Sequence, residues 1–141
     1  MKILGVHDGH NASACLLDDG RIKYCIQEER LTNTKNYFGF PFKSIKKILA
    51  LADIDAEELD FIAMASHHTP KPSDALGSYK KQASMLRSKV LDAAMKTPLY
   101  SIYKNRTKND RLKNLTKLGI PEERVIFVDH HLCHAAAAYY G

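Results

Sequence analysis

The chain of 141 residues has no long hydrophobic run and few cysteines, and each shortage excludes a class of protein. No apolar stretch approaches the ~18 residues that a membrane-spanning helix needs. In the N-terminal MKILGVHDGH, His7 and Asp8 interrupt a short apolar run that follows one Lys, which is unlike a signal peptide. A cytoplasmic location is therefore expected. The cysteines, Cys15, Cys25 and Cys133, are odd in number and widely spaced, which argues against a disulfide framework.

The composition is that of a soluble globular protein, with 45% hydrophobic and 26% charged residues. The length suits one domain. The formal net charge is +5, and much of the positive excess lies in residues 71–118. A basic region of this kind is either a solvated helical face or a surface for nucleic acid or anionic nucleotides. No known nucleic-acid signature is present, so nucleic acid is not an expected partner.

Alternating and continuous apolar runs predict three strands in the first thirty residues. They cover 2–6, 12–18 and 21–28, and the last two are expected to form a hairpin across Asp-Asp-Gly, with Gly20 at positive φ. Cys15 and Cys25 fall within these strands, where they are expected to be small buried residues.

The rest of the chain alternates helices and strands. Apolar spacing predicts a helix over 42–52, and DFIAMAS predicts a fourth strand that is buried on both faces. Helices are expected over 73–96 and 100–118, with Pro98 ending or kinking the first and Gly119 ending the second. A fifth strand at 124–128 and a helix from 131 to 140 follow. The order β-β-β-α-β-(α-α)-β-α predicts an α/β fold with a mixed sheet.

The turn between the first two strands is a candidate phosphate site. It is built from small polar residues, and the candidates are Asp8, Gly9, His10, Asn11 and Ser13. Backbone N–H groups and short side chains in such a turn can hold phosphate oxygens, and the aspartate could also bind a metal or position a water. The histidine could exchange a proton or contact an anion. An ordinary hairpin turn uses the same residue types, so that alternative stays open.

The segment VDHHLCHAAAAYYG holds a candidate metal site. His130 and His134 are four residues apart, so on a helix both imidazoles point from one face and can chelate one ion. His131 is rotated by ~100° from that face, and Cys133 points elsewhere. Asp129 is a candidate for orienting a ligand. Imidazoles with an open position suit Fe(II), Zn, Mn or Ni. Histidines that cap a helix or lie on its surface are the alternative.

A third imidazole group, His67 and His68, follows the predicted fourth strand. Ligands of α/β sheets lie at such strand ends. A solvated loop before Pro70 explains the same residues and is the favoured interpretation.

Four stretches together resemble one family: ILGVHDGHNASACLLDDGRI, QEERLT, GFPFKSI and VDHHLCHAAAAYY. They resemble the N-terminal part of the carbamoyltransferases typified by nodulation protein NodU and by antibiotic carbamoyltransferases. The resemblance implies a Kae1-like domain, with the ribonuclease H-like mixed sheet of actin-like ATPases flanked by helices. Residues 1–141 would form its first subdomain, with a helical insertion at about 71–118.

The resemblance also implies site residues and substrates. It assigns His130 and His134 to a divalent metal that touches nucleotide phosphates, with Fe(II) favoured and Zn or Mn as alternatives. It places His10 near the carbamoyl group. A YrdC-like domain further along would make carbamoyl-adenylate from carbamoyl phosphate and ATP, for transfer to a hydroxyl of a small metabolite. The remaining carboxylate and adenosine contacts would also lie further along, so this chain alone is expected to be inactive.

Two other functions remain open from the sequence. One is an actin-like ATPase or sugar-kinase half-domain without carbamoyl chemistry. Such kinases do not need a bis-imidazole metal site, so the histidine pair separates this alternative from carbamoyl transfer. The other is a basic metal-binding module that serves a partner without catalysis.

Overall fold

The computed structural model describes residues 1–66 and 98–140. Three strands come first: β1 (Lys2–His7), β2 (Ser13–Asp18) and β3 (Arg21–Gln27). The single helical turn α1 (Glu29–Thr32), helix α2 (Phe42–Ala52) and strand β4 (Phe61–Ala65) follow. The described part ends with helix α3 (Pro98–Thr116), strand β5 (Val125–Val128) and helix α4 (His130–Tyr140). Short 3-10 turns cover Ala56–Glu58 and Glu122–Arg124.

The five strands form one mixed sheet in the order β3-β2-β1-β4-β5. Strands β1, β2 and β3 are antiparallel neighbours, whereas β4 runs parallel to both β1 and β5. The β2–β3 hairpin turns through Asp19 and Gly20, whose φ angles of 46° and 77° suit a tight turn between twisted strands. The sheet is mixed and flanked by helices, so the predicted α/β fold with a mixed sheet is confirmed.

One face of the sheet carries the hydrophobic core. Alternate strand residues point into it and meet helices α2 and α3; the main contributors are Leu4, Val6, Leu16, Ile62, Met64, Ile45, Ile48 and Leu115. The apolar spacing of α2 places its isoleucines on this face and its lysines in solvent. Burial of these side chains is the main driving force for the fold.

The opposite face carries small residues and is partly open. Ala63 and Ala65 of β4 are half-buried there, and Phe61 is 42% exposed. The prediction that β4 is buried on both faces is therefore wrong among the described residues. Cys25 is also exposed rather than buried, because β3 is the edge strand of the sheet.

Helix α2 begins next to a buried carboxylate. Glu28 directly follows β3 and is 2% exposed. One of its oxygens accepts the Lys43 N–H at 2.9 Å, and the other accepts the Ser44 N–H and hydroxyl at 2.7 Å each. These are free N–H groups of the first helical turn, where a negative charge is stabilised by the helix dipole. The end of the hairpin and the start of the helix are thereby joined.

Helix α3 begins at Pro98, which the sequence had suggested as the end or kink of a preceding helix. Proline is well suited to the first helical position because its missing N–H has no partner there. The helix ends at Thr116, two residues earlier than predicted, and Gly119 follows at a φ of 77°. The helix predicted over 73–96 lies outside the described residues. No helix within 1–66 or 98–140 has the length and apolar character of a membrane span.

Candidate metal and phosphate site

Three strands deliver the candidate residues to one edge of the sheet. Because β1, β4 and β5 are parallel, their carboxyl ends lie together, where α/β sheets bind ligands. β1 leads into Asp8, β4 into Ser66 and β5 into Asp129. Neighbouring strands are ~4.8 Å apart, so the ends of β1 and β5 are separated by about 10 Å. The two candidate sites, 120 residues apart in sequence, are therefore close in space.

The first turn is held from the outside by the segment that precedes α2. Gly9 is buried, and its carbonyl accepts the Gly39 N–H at 3.3 Å. The Ala12 N–H donates to the Tyr37 carbonyl at the same distance. Asn11 lies at the apex with a φ of 58°, a conformation that asparagine tolerates better than most residues. The turn is thus fixed by backbone bonds on both sides of its apex.

The two histidines of the turn have different surroundings. His7 is half-buried at the end of β1, and its Nε2 lies 3.0 Å from the His10 carbonyl. The His10 side chain is exposed, and its backbone bridges to Phe38. The exposed imidazole is free to meet a ligand, whereas His7 is engaged in holding the turn.

Asp8 forms the strongest polar contact of the site, and its partner was not predicted. Its carboxylate is 6% exposed and accepts two bonds from Arg111, from Nε at 2.6 Å and from Nη2 at 2.7 Å. The guanidinium also donates to the carbonyls of Ala65 (3.0 Å) and Ser66 (2.8 Å), and it lies over the Phe127 ring. Arg111 therefore ties α3 to the ends of β1 and β4.

His130 and His134 face each other on the first turns of α4. Their Nε2 atoms are 3.1 Å apart, and their ring centroids are 4.5 Å apart. With metal–nitrogen bonds of ~2.1 Å, that separation corresponds to an N–metal–N angle of about 95°. The same separation suits a hydrogen bond between the two rings and, with both nitrogens turned to an ion, adjacent positions on one divalent metal. Both side chains are exposed, so an ion could reach them directly.

Asp129 fixes the start of the helix that carries the histidine pair. Its Oδ1 accepts the N–H of His131 at 2.8 Å and that of Leu132 at 3.3 Å. This is an N-cap contact, which stabilises the first helical turn. The His131 ring lies 5.8 Å from that of His130 and does not join the facing pair.

The pair supplies two ligands. Within the described ranges no group of three or more His, Cys, Asp and Glu side chains is arranged to hold a metal. His67 and His68 lie outside those ranges. A complete site would take its further ligands from a substrate, from water or from other parts of the protein.

A cavity of about 250 Å³ lies between the two halves of the site, on the open face of the sheet. His7 and Ser13 line it at the hairpin end, and Val128 and Cys133 line it where β5 meets α4. The lining is mostly apolar and includes all three cysteines. Cys133 thus borders the cavity between α4 and the sheet.

A family model matches the sequence of this chain over almost its whole length. The model of the carbamoyltransferase N-terminus family matches residues 2–141. This chain belongs to that family.

Two curated proteins share part of their sequence with this chain. Protein MJ1051 of Methanocaldococcus jannaschii is 40% identical over 62 residues, which are 44% of this chain and 12% of that protein. Protein sll1178 of Synechocystis sp. is 32% identical over 138 residues, which are 93% of this chain and 22% of that protein. The chain therefore spans less than a quarter of either relative. Among solved structures, YeaZ from Pseudomonas aeruginosa matches 92% of this chain and 45% of its own, with 12% identity and a TM-score of 0.45.

Proposed function

We propose that the chain forms the metal- and phosphate-binding part of an ATP-dependent O-carbamoyltransferase. Membership of the family supports carbamoyl transfer in general. The observation that carries the proposal at the level of residues is the 3.1 Å separation of the His130 and His134 Nε2 atoms. A facing imidazole pair beside a turn rich in small polar residues suits a substrate that contains phosphate.

His130 and His134 would hold a divalent ion, with Fe(II) favoured and Zn or Mn as alternatives. When bound, such an ion neutralises charge on a phosphate group as it leaves. Asp129 contributes by fixing the helix start, because its Oδ1 accepts two N–H groups of the first turn. The ring orientation of the pair then depends on the helix being formed.

The first turn would bind the phosphate and the reacting group. Asn11 and Ser13 would offer an amide and a hydroxyl beside the Gly9 N–H, and such groups hold phosphate oxygens in register. His10 is exposed and would accept the proton of the attacking hydroxyl. Asp8 would act by shaping the turn, because Arg111 occupies both carboxylate oxygens.

The substrates are those that the family resemblance implies. Carbamoyl phosphate and ATP would yield carbamoyl-adenylate in a YrdC-like domain. The Kae1-like domain, to which this chain would belong, would then pass the carbamoyl group to a hydroxyl of a small metabolite with release of AMP. The acceptor hydroxyl gains the carbamoyl carbon and loses its proton. The adenylate phosphate is the leaving group.

Metal content tests the site. The whole protein, purified and loaded with Fe(II), Zn or Mn, is expected to bind one ion fewer per chain after His130→Ala or His134→Ala. His131→Ala is the matched control, because its ring does not join the facing pair. Equal metal content in all three variants, measured by elemental analysis, would remove the assignment.

Product analysis tests the reaction. The whole protein is expected to release AMP only when carbamoyl phosphate, ATP and a hydroxyl acceptor are all present, and His10→Ala is expected to slow transfer about 10²–10⁴-fold, the usual contribution of a general base. Nucleotide turnover that needs no carbamoyl phosphate would favour the ATPase or kinase alternative instead.

A further inference from the structure

We propose that Cys15 and Cys25 are a modification site, a dithiol that peroxide converts into a disulfide between β2 and β3. The proposal concerns thiols that carbamoyl transfer does not use, so it is independent of the proposed function. All three cysteines of the chain are free thiols in the structure.

The strand register brings these two cysteines face to face. Cys15 and Cys25 are direct partners across the antiparallel β2–β3 pair. The type of pair follows from one backbone bond: the Glu28 N–H donates to the Ala12 carbonyl, and hydrogen-bonded and non-hydrogen-bonded pairs alternate from there. Counting three positions from Ala12 makes Cys15–Cys25 a non-hydrogen-bonded pair.

Non-hydrogen-bonded pairs have the closer side chains. Their Cα atoms are about 4.5 Å apart, which falls within the ~4.4–6.8 Å range of disulfides. The register shift of this strand pair lies beyond it, between Leu16 and Leu17, and leaves the cysteine pair in regular geometry. A disulfide can therefore form without moving the strands apart.

In the reduced protein the Cys15 sulfur lies on the β1 side of β2, over Gly5, so the side chain must rotate about χ1 toward β3 before the bond can form. A Cβ atom at Gly5 would lie 2.7 Å from Cys15 Sγ, closer than the two atoms can approach. Only glycine on β1 leaves that space. Both cysteines also line the cavity of about 250 Å³ on the open face of the sheet, which gives a small oxidant a route to the thiols.

The two thiols differ in a way that sets the order of the reaction. Cys25 is exposed on the edge strand, whereas Cys15 is half-buried, and burial raises the pKa of the Cys15 thiol above its ordinary value. Cys25 is therefore the thiol that a peroxide meets first. Its sulfur takes one oxygen from hydrogen peroxide, giving a sulfenic acid and water. The Cys15 sulfur then attacks the Cys25 sulfur, and the hydroxyl leaves with the Cys15 proton as a second water.

Cys133 lines the same cavity and is the natural control. It lies on α4 and is not a strand partner of either cysteine. Peroxide that acted on any accessible thiol near the cavity would involve Cys133, whereas the register argument predicts that it stays out of the bond.

Peptide mapping of the whole protein tests the proposal. The protein is fully reduced, treated with hydrogen peroxide, blocked with an alkylating reagent and cut with trypsin. Trypsin separates the two cysteines, because Arg21, Lys23 and Arg30 place them in peptides 3–21 and 24–30. Mass spectrometry is expected to find these peptides joined with the loss of two hydrogens, and dithiothreitol is expected to release them.

Variants make the result decisive. Cys133→Ser is expected to leave the yield of the joined peptides unchanged within about twofold, and Cys25→Ser is expected to abolish it. Joined peptides that contain Cys133, disulfides between two protein molecules, or stable oxidation of Cys25 without joining would each overturn the proposal. If peroxide leaves both peptides fully alkylated, the site is not a dithiol and the proposal fails.

Discussion

Asp8 and Arg111 lie 103 positions apart in the sequence and form a buried two-point ion pair at the carboxyl end of β1. The arginine side chain is 4% exposed, and its remaining N–H groups reach the carbonyls that end β4. Two N–H···O bonds join the carboxylate and the guanidinium, so the two charges are paired away from water. This contact holds the first turn in place relative to helix α3.

Removing the arginine leaves a buried carboxylate without its counter-charge. Arg111→Met is expected to lower the free energy of unfolding by about 3–5 kcal/mol, and Arg111→Lys is expected to lose less, because the charge remains while the second bond is lost. Urea denaturation of the whole protein measures the difference. Arg106→Met is the matched control on the exposed side of the same helix. Equal losses at both positions would contradict the buried pair.

Glu28 is expected to stabilise the start of helix α2 through its charge. Glu28→Gln keeps one acceptor oxygen but loses the negative charge beside three donors, so we expect a loss of about 1–3 kcal/mol. Hydrogen exchange of the amides of Lys43 and Ser44 should accelerate with it, since both donate to this carboxylate. Glu57→Gln, an exposed carboxylate, serves as the control. No change in exchange at the two amides would contradict the capping role.

A methyl group at Gly5 is expected to collide with one particular atom. The Cys15 Sγ lies 2.7 Å from the position of the new Cβ, and the next atom is 3.8 Å away. Gly5→Ala is therefore expected to cost about 1–3 kcal/mol under reducing conditions. Adding Cys15→Ala removes the colliding atom, so the double variant should recover most of that loss. A double-mutant cycle measures the coupling, and an additive result would show that the sulfur is not the obstacle.

Much of the sheet was predictable because its signals are local. The period-2 pattern of RIKYCIQE and the Asp-Gly turn before it specify the hairpin, and the structure has β3 at Arg21–Gln27 with Gly20 at positive φ. The helix over 42–52 has the same bounds in the structure as in the prediction. The four-residue spacing of His130 and His134 also sufficed to place both rings on one face of α4.

The polar contacts that hold the site were not predictable in the same way. Arg111 belongs to a basic stretch that reads as a solvated helical face, and only the path of the chain brings it to Asp8. The available signal was indirect: an aspartate directly after a buried strand needs a cation if it is buried. Glu28 read as the last residue of a strand, and its role depends on α2 returning to the hairpin.

Cys25 shows a limit of another kind. Apolar alternation marks which strand residues share a face, but it does not tell which strand lies at the edge of the sheet. β3 lies at that edge, so its alternate residues meet solvent on the face that α2 does not cover. The exposure of Cys25 follows from strand order rather than from local sequence.

The contacts of Arg111 fix the rotation and the axial position of helix α3 relative to the sheet. Leu115 lies one turn further on and is fully buried in the core, so two points of the same helical face are fixed. Inserting a single residue between them would swing the guanidinium by ~100° and shift it by ~1.5 Å along the axis. A chain lengthened between these two side chains could therefore not keep both contacts at once.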